Sequence, residues 1–126
     1  MVDKPIRVFG GKPDDYNPIE LCRVYLERLR AAGHDVQIVE YPNASHAFDN
    51  PLLDTVPLVA KDNQTVRHCR IKEESPGVLV NVSTGQPFTY KDPCVELNPH
   101  VGYDPVATEQ ATQAVKDFLR TIFKLG

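Results

Sequence analysis

The feature that most constrains this chain is a strand–helix–strand pattern within its first 41 residues. Residues 5–10 are a short run of β-branched and aromatic residues that ends at Gly10-Gly11, and residues 35–41 form a second such run. Between them, apolar residues recur at the spacing of one helix face: Leu21, Cys22, Tyr25, Leu26 and Leu29. Because a helix of this length connects strands that lie side by side, the pattern predicts a βαβ unit with parallel strands and an α/β fold class.

The boundaries of this first helix carry recognisable signals. Asn17 is a suitable N-cap, Pro18 suits the first helical position, and Glu20 completes a capping box with Asn17. Gly33 follows the last periodic residues, where a left-handed residue commonly ends a helix. We therefore predict a helix from residue 18 to residue 32.

The rest of the chain predicts a loop, a hairpin and a second helix. Residues 42–63 are loop-like. Residues 66–90 alternate around the turn sequence Ser75-Pro76-Gly77, which predicts a β-hairpin. Asp104 as N-cap and Pro105 in the first turn predict a long C-terminal helix that ends near residue 124.

Length and charge narrow the class of protein. A chain of 126 residues buries roughly two-thirds of the surface that its unfolded form exposes, so residues 1–126 are expected to form a single domain. The net charge is −3 and the Lys and Arg residues are scattered, which argues against a nucleic-acid partner. No apolar run approaches the ~18 residues that a membrane span needs, so we expect no membrane partner.

The N-terminal residues bear on localisation. Residues 1–5 contain no apolar segment of the kind that signal peptides carry. We therefore expect a cytoplasmic protein, although a truncated descendant of an exported parent would also lack a signal.

Acidic and histidine side chains follow the two predicted parallel strands. Asp14 and Asp15 come just after the first strand, and His46 comes just after the second. Since the carboxyl ends of parallel strands meet at one edge of a sheet, we expect an Asp and His46 to lie within hydrogen-bond reach. A carboxylate fixes the tautomer of an imidazole and stabilises its charged form, which is how a histidine general base is oriented.

Four segments carry a resemblance to a known family. Residues 11–18, followed by Cys22, resemble the acid loop of the dienelactone hydrolase family, and residues 40–49 resemble its histidine loop. Residues 102–107 are similar to the start of its last helix. Residues 67–88 and 92–95 resemble an insertion that some members carry.

This resemblance implies a partial α/β-hydrolase fold and an activity on ester or lactone bonds. The family uses a Cys or Ser nucleophile, an Asp and a His, in the chain order nucleophile, acid, histidine. The resemblance assigns Asp14 as the acid, with Asp15 as the alternative, and His46 as the histidine. No G-x-S-x-G motif or its Cys form occurs in this sequence, so it resembles the C-terminal half of such an enzyme, with residues 66–90 as a hairpin insertion.

Three functions fit these observations. The chain is a hydrolase-derived fragment without activity of its own, or half of a split hydrolase that another chain completes, or a small oligomeric binding module. We also expect a homodimer, because the strand at residues 5–10 lacks the neighbour that it has in the family, and an open apolar edge pairs readily. In the alternative, the 66–90 hairpin covers that edge and the chain is monomeric.

The remaining reactive side chains predict little chemistry. Ser45 lies beside His46, but nothing places it on the strained turn that an elbow nucleophile occupies. Cys22 is expected in the core, whereas Cys69 and Cys94 are candidates for a disulfide. Four side chains of metal-ligating type lack the clustered spacing of a zinc site: His34, His68, Cys69 and His100. We therefore expect neither a metal nor a cofactor.

Overall fold

The computed structural model describes residues 4–126. Residues 1–3, which belong to the segment without a signal-peptide pattern, lie outside the described residues. No helix within the described range is both long and apolar enough to cross a membrane.

The predicted strand–helix–strand unit is confirmed. Strand β1 (Ile6–Gly11) pairs in parallel with β2 (Val36–Tyr41), and helix α1 (Ile19–Ala31) connects them. The two strands stay in register over their full length, so both end at the same edge of this two-stranded sheet. The chain thus mixes helix and strand as the α/β prediction required.

Eight further elements follow in the described chain, and most of the strands are short: β3 (Leu58–Val59), β4 (Gln64–Thr65), β5 (Ile71–Ser75), β6 (Val78–Asn81), β7 (Gln86–Pro87), β8 (Glu96–Leu97), β9 (His100–Val101) and helix α2 (Pro105–Phe123). Strand β3 pairs with β9 and β4 pairs with β8, both antiparallel. These pairings bring together the segments that lead into and out of the insertion.

Two apolar clusters lie on opposite faces of the β1–β2 sheet. Leu26 and Leu29 of α1 pack with Val36, and Val8 joins them. On the other face, Ala107 of α2 packs with residues that include Phe9. Because neighbouring side chains of a strand point to opposite faces, Val8 and Phe9 separate the two clusters.

The start of α1 differs from the prediction. Its N-cap is Pro18, and no side chain caps the helix, so the capping box of Asn17 and Glu20 is wrong. The Asp14 carboxylate instead accepts hydrogen bonds from the backbone N–H groups ahead of the helix. At the other end, Gly33 adopts the predicted left-handed conformation, with φ of 90°.

Helix α2 begins as predicted. The Asp104 side chain accepts hydrogen bonds from the N–H groups of Val106 and Ala107, and Pro105 occupies the first turn. The helix ends at Phe123, where Lys124 takes the left-handed conformation.

The insertion is a three-stranded sheet rather than a hairpin that begins at residue 66. Within residues 4–126, strands β5, β6 and β7 pair only with one another. Residues 66–69 form a turn, in which the Cys69 N–H donates to the Val66 carbonyl, and Cys69 is bonded to Cys94. This covalent constraint diverts the alternating segment from a strand, and the hairpin starts at Ile71.

The second edge of β1 pairs with no strand among residues 4–126. No strand of the insertion pairs with this edge in the described structure, and the choice between a homodimer and a monomer whose edge the insertion covers stays a prediction. Large apolar side chains on the two flanking helices are also exposed: Leu21, Val24, Tyr25, Val115, Leu119, Ile122 and Phe123.

Candidate acid–histidine site

The structure brings Asp14 and His46 together at the carboxyl edge of the sheet. The Nδ1 atom of His46 lies 3.0 Å from Oδ2 of Asp14. Both residues follow strands that end at this edge, so the parallel pairing of β1 and β2 positions them. A carboxylate only accepts hydrogen bonds, so His46 carries its proton on Nδ1 in this arrangement.

The other oxygen of Asp14 is also fully used. Oδ1 accepts hydrogen bonds from the backbone N–H groups of Tyr16, at 2.9 Å, and Asn17, at 2.8 Å. Asp14 therefore organises its own turn with one oxygen and orients His46 with the other. Asp14 therefore forms the turn and contacts His46 at the same time.

Tyr16 fixes the plane of the His46 ring. The two rings stack with their centroids 4.4 Å apart and their planes 29° apart. Hydrogen bonding restrains the imidazole at its Nδ1 edge and stacking restrains one of its faces. Sequence reasoning missed this role of Tyr16, because no spacing rule connects residues 16 and 46.

Asp15 has different partners. Its carboxylate accepts a hydrogen bond from the His100 backbone N–H, lies 2.8 Å from Nδ1 of His100, and forms an ion pair with Arg67. Burial acts to raise the pKa of Asp15, but the hydrogen bonds from His100 and the charge of Arg67 outweigh it and hold this pKa below its ordinary value. The structure thus does not place the alternative acid beside His46.

A close backbone approach holds the two site loops together. A Cβ atom added to Gly11, at the end of β1, would lie 1.7 Å from the backbone oxygen of Ala44. Only glycine allows the acid loop and the histidine loop to cross at this distance. The His46 carbonyl also accepts a hydrogen bond from Gly102, which ties the histidine loop to the start of α2.

A cavity of about 760 Å³ opens beside the pair and follows the free edge of β1 between the two helices. Asp14 and His46 contribute its polar side, and Phe9, Ala111 and Val115 are among its apolar lining. The size and the mixture of an apolar wall with a few polar groups are typical of small-molecule sites.

The other candidate residues are placed as follows. Cys22 was predicted in the core, but its side chain is only partly buried and lines this cavity, because the apolar face of α1 is left open there. Ser45 is buried and is not part of the cavity lining. The candidate disulfide between Cys69 and Cys94 is formed.

The histidines and acids do not converge on a metal site. Within residues 4–126, no group of three or more His, Cys, Asp or Glu side chains is arranged to hold a metal ion. His68 instead pairs with Glu96, and His100 pairs with Asp15.

Comparison with known proteins agrees with the resemblance carried by the loops. The model of the dienelactone hydrolase family matches residues 1–123. The chain belongs to the dienelactone hydrolase family. No significant match was found among curated proteins or among solved structures.

The family match extends across the functional loops and the insertion. It includes the acid loop with Asp14, the histidine loop with His46 and the strands of the insertion. A dienelactone hydrolase-like origin therefore accounts for the chain as a whole, beyond the two loops on which the resemblance was first seen.

Proposed function

We propose that residues 1–126 form a single domain that corresponds to the C-terminal half of an α/β-hydrolase fold. In this proposal the domain is hydrolase-derived and retains the acid, Asp14, and the histidine, His46, of a Cys/Ser–Asp–His site for small esters or lactones, but not the nucleophile. The observation that carries the proposal is the 3.0 Å contact between Oδ2 of Asp14 and Nδ1 of His46 at the mouth of the cavity.

The geometry supports general base catalysis by the other imidazole nitrogen. With the proton on Nδ1 held by Asp14, Nε2 is the basic nitrogen of His46. A nucleophile next to Nε2 would lose its proton to it, and the Asp14 carboxylate would stabilise the imidazolium that forms. Tyr16 and Asp14 together keep the ring in one orientation while the proton moves.

These 126 residues do not contain the nucleophile elbow, so we expect them to lack esterase activity by themselves. A base without an activated nucleophile and without oxyanion donors lacks the two largest contributions to acyl transfer. With p-nitrophenyl acetate as substrate, we predict no saturable turnover above ~1 s⁻¹.

Two variants make this assay decisive. Cys22→Ser removes the free thiol of the cavity and any background reaction that it causes, while His46→Ala removes the proposed base. Saturable turnover that survives Cys22→Ser and disappears in His46→Ala would contradict the prediction, because the chain would then hold a complete site.

The second candidate function is half of a split hydrolase. It is favoured by the cavity, whose apolar lining and open β1 edge leave room for another chain beside Asp14 and His46. In this case, a chain that carries a nucleophile elbow would restore ester hydrolysis when mixed with residues 1–126, and His46→Ala in the present chain would abolish the restored activity.

We further propose that the free edge of β1 pairs with β1 of a second copy. The N–H groups of Ile6 and Lys12 donate towards β2, to the carbonyls of Asp35 and Tyr41. Because backbone groups alternate along a strand, Arg7 and Phe9 present theirs at the opposite edge. An antiparallel two-fold pairing therefore matches Arg7 with Phe9 of the second copy, with Val8 of each copy at the axis.

This pairing is closed and covers apolar surface. Each of the two symmetric Arg7–Phe9 pairs exchanges both of its backbone hydrogen bonds, and a two-fold arrangement ends after two chains. It also brings together the exposed apolar side chains of the flanking helices, such as Tyr25 and Val115.

Proline at position 7 tests the dimer directly. Arg7→Pro removes the N–H that faces the free edge and leaves the bonds to β2 intact, since proline is tolerated on an edge strand. Arg7→Ala is the matched control, because it loses the same side chain but keeps the N–H. In light scattering, we predict twice the 14.1 kDa chain mass for the wild type and for Arg7→Ala, and a monomer for Arg7→Pro. A monomeric wild type at micromolar concentration would refute the pairing.

A further inference from the structure

The acid loop is held from outside by the segment that leads into the insertion. Thr65 is 2% exposed, and its hydroxyl donates to the Tyr16 carbonyl at 2.7 Å. Arg67 donates from Nη1 to the Asp15 carbonyl at 2.9 Å. Two consecutive carbonyls of the acid loop are thus bound by side chains about 50 residues further along the chain.

The Thr65–Arg67 segment is itself firmly anchored. Thr65 lies in β4, where it pairs with Glu96 of β8, and Glu96 also forms an ion pair with the Arg67 guanidinium. The disulfide lies close to this ion pair, because Cys69 comes two residues after Arg67 and Cys94 comes two residues before Glu96. The strand pairing, the ion pair and the disulfide therefore hold this segment in place, independently of its contacts with the acid loop.

These contacts extend to the His46 ring. The Asp14 side chain accepts from the N–H groups of Tyr16 and Asn17, while Thr65 binds the Tyr16 carbonyl, so both ends of the Tyr16 backbone are restrained. The Tyr16 ring in turn stacks on His46. Without the Thr65 hydroxyl, the partly buried Tyr16 carbonyl would lose its partner and Tyr16 would be free to leave the imidazole.

We propose that Thr65 and Arg67 are positioning residues for the Asp14–His46 pair, acting through Tyr16 and the acid loop. This inference rests on the proposed function for the importance of the pair, but its geometry is tested without any assay of activity. It assigns the segment before the insertion a role in the site: it holds the acid loop in the conformation that presents Asp14 and Tyr16 to His46.

The test is the NMR spectrum of the His46 ring in folded variants. A ring stacked on tyrosine has its protons shifted by the aromatic ring current. We expect Thr65→Val to lose more than half of this displacement, and Thr65→Ser, which keeps the hydroxyl, to retain it. Thr121→Val is the matched control, because the Thr121 hydroxyl donates to the Asp117 carbonyl within α2, away from the site.

Arg67→Met provides a second variant if Thr65→Val does not fold. It removes the bond to the Asp15 carbonyl while it keeps much of the side-chain volume, and we expect the same loss of displacement. Wild-type His46 signals in the folded Thr65→Val or Arg67→Met variant would overturn the positioning role. Such a result would leave the proposed function standing, because the direct contact between Asp14 and His46 does not depend on the Tyr16 ring and is tested separately by Asp14→Asn.

Discussion

Replacing both Cys69 and Cys94 with serine is expected to lower the free energy of unfolding by about 3.5 kcal/mol. The disulfide closes a loop with a sequence separation of 25, and the estimate is the chain entropy that this closure removes from the unfolded state. The effect is large because stabilities of domains this size are themselves only about 5–15 kcal/mol. Urea denaturation of the wild type and of the double variant measures the difference.

Cys22→Ser is the control for this experiment, since it removes the third cysteine without opening the loop. The denatured wild type should expose one reactive thiol per chain, and the control should expose none. A titre of three thiols, or equal stabilities of the double variant and the control, would show that the bond is not formed.

A structural disulfide is typical of oxidising compartments, so the cytoplasmic location expected from the N-terminus stays a prediction.

Gly11→Ala is expected to destabilise the protein by at least about 3 kcal/mol and to separate the two site loops. The added methyl group would lie 1.7 Å from the backbone oxygen of Ala44 and 2.6 Å from its carbonyl carbon, and this backbone cannot rotate away as a side chain can. The histidine loop must therefore shift away from the acid loop, and the contact between His46 and Asp14 would be lost. Thermal unfolding measures the first effect and the His46 NMR signals measure the second.

Gly10→Ala is a matched control from the adjacent position. Its added Cβ would meet the end of the Ile19 side chain at 2.4 Å, and this flexible group can change its rotamer. We expect a loss of about 1 kcal/mol for Gly10→Ala and unchanged His46 signals. If the Gly10 and Gly11 variants behave alike, the close crossing of the loops is not what holds the site together.

The parts of the fold that the sequence predicts are those encoded locally. Helix α2 is marked by Asp104 and Pro105, and the β1–α1–β2 unit by two apolar runs and the Gly33 terminus. The proximity of Asp14 and His46 is predicted for a related reason, since parallel strands end at one edge whatever the details of their loops.

The errors arise where a specific contact overrides a local signal. Asn17 has the pattern of a capping residue, but its N–H is already bound by Asp14 and the chain enters α1 through Pro18. Residues 66–69 alternate like a strand, yet the bond between Cys69 and Cys94 holds them in a turn.

The supporting residues of the site were missed because their contacts leave no periodic trace. Thr65 and Tyr16 are 49 positions apart, and no sequence motif includes both of them. Gly11 was visible only as the end of a strand, and its close approach to Ala44 depends on how two loops cross. Such contacts are properties of the packed chain and not of any short segment.

The ¹⁵N chemical shifts of the His46 ring, compared between the wild type, Asp14→Asn and Asp15→Asn, test the orientation of the imidazole by Asp14. In the neutral wild-type ring we predict the proton on Nδ1, bound to Asp14. In Asp14→Asn, the amide oxygen should keep the N–H bonds of Tyr16 and Asn17, which turns the NH₂ group towards His46 and reverses the tautomer. Asp15→Asn should leave the wild-type tautomer unchanged, because Asp15 contacts His100 instead. A His46 tautomer that is the same in the wild type and Asp14→Asn, or one that reverses in Asp15→Asn, would contradict the account.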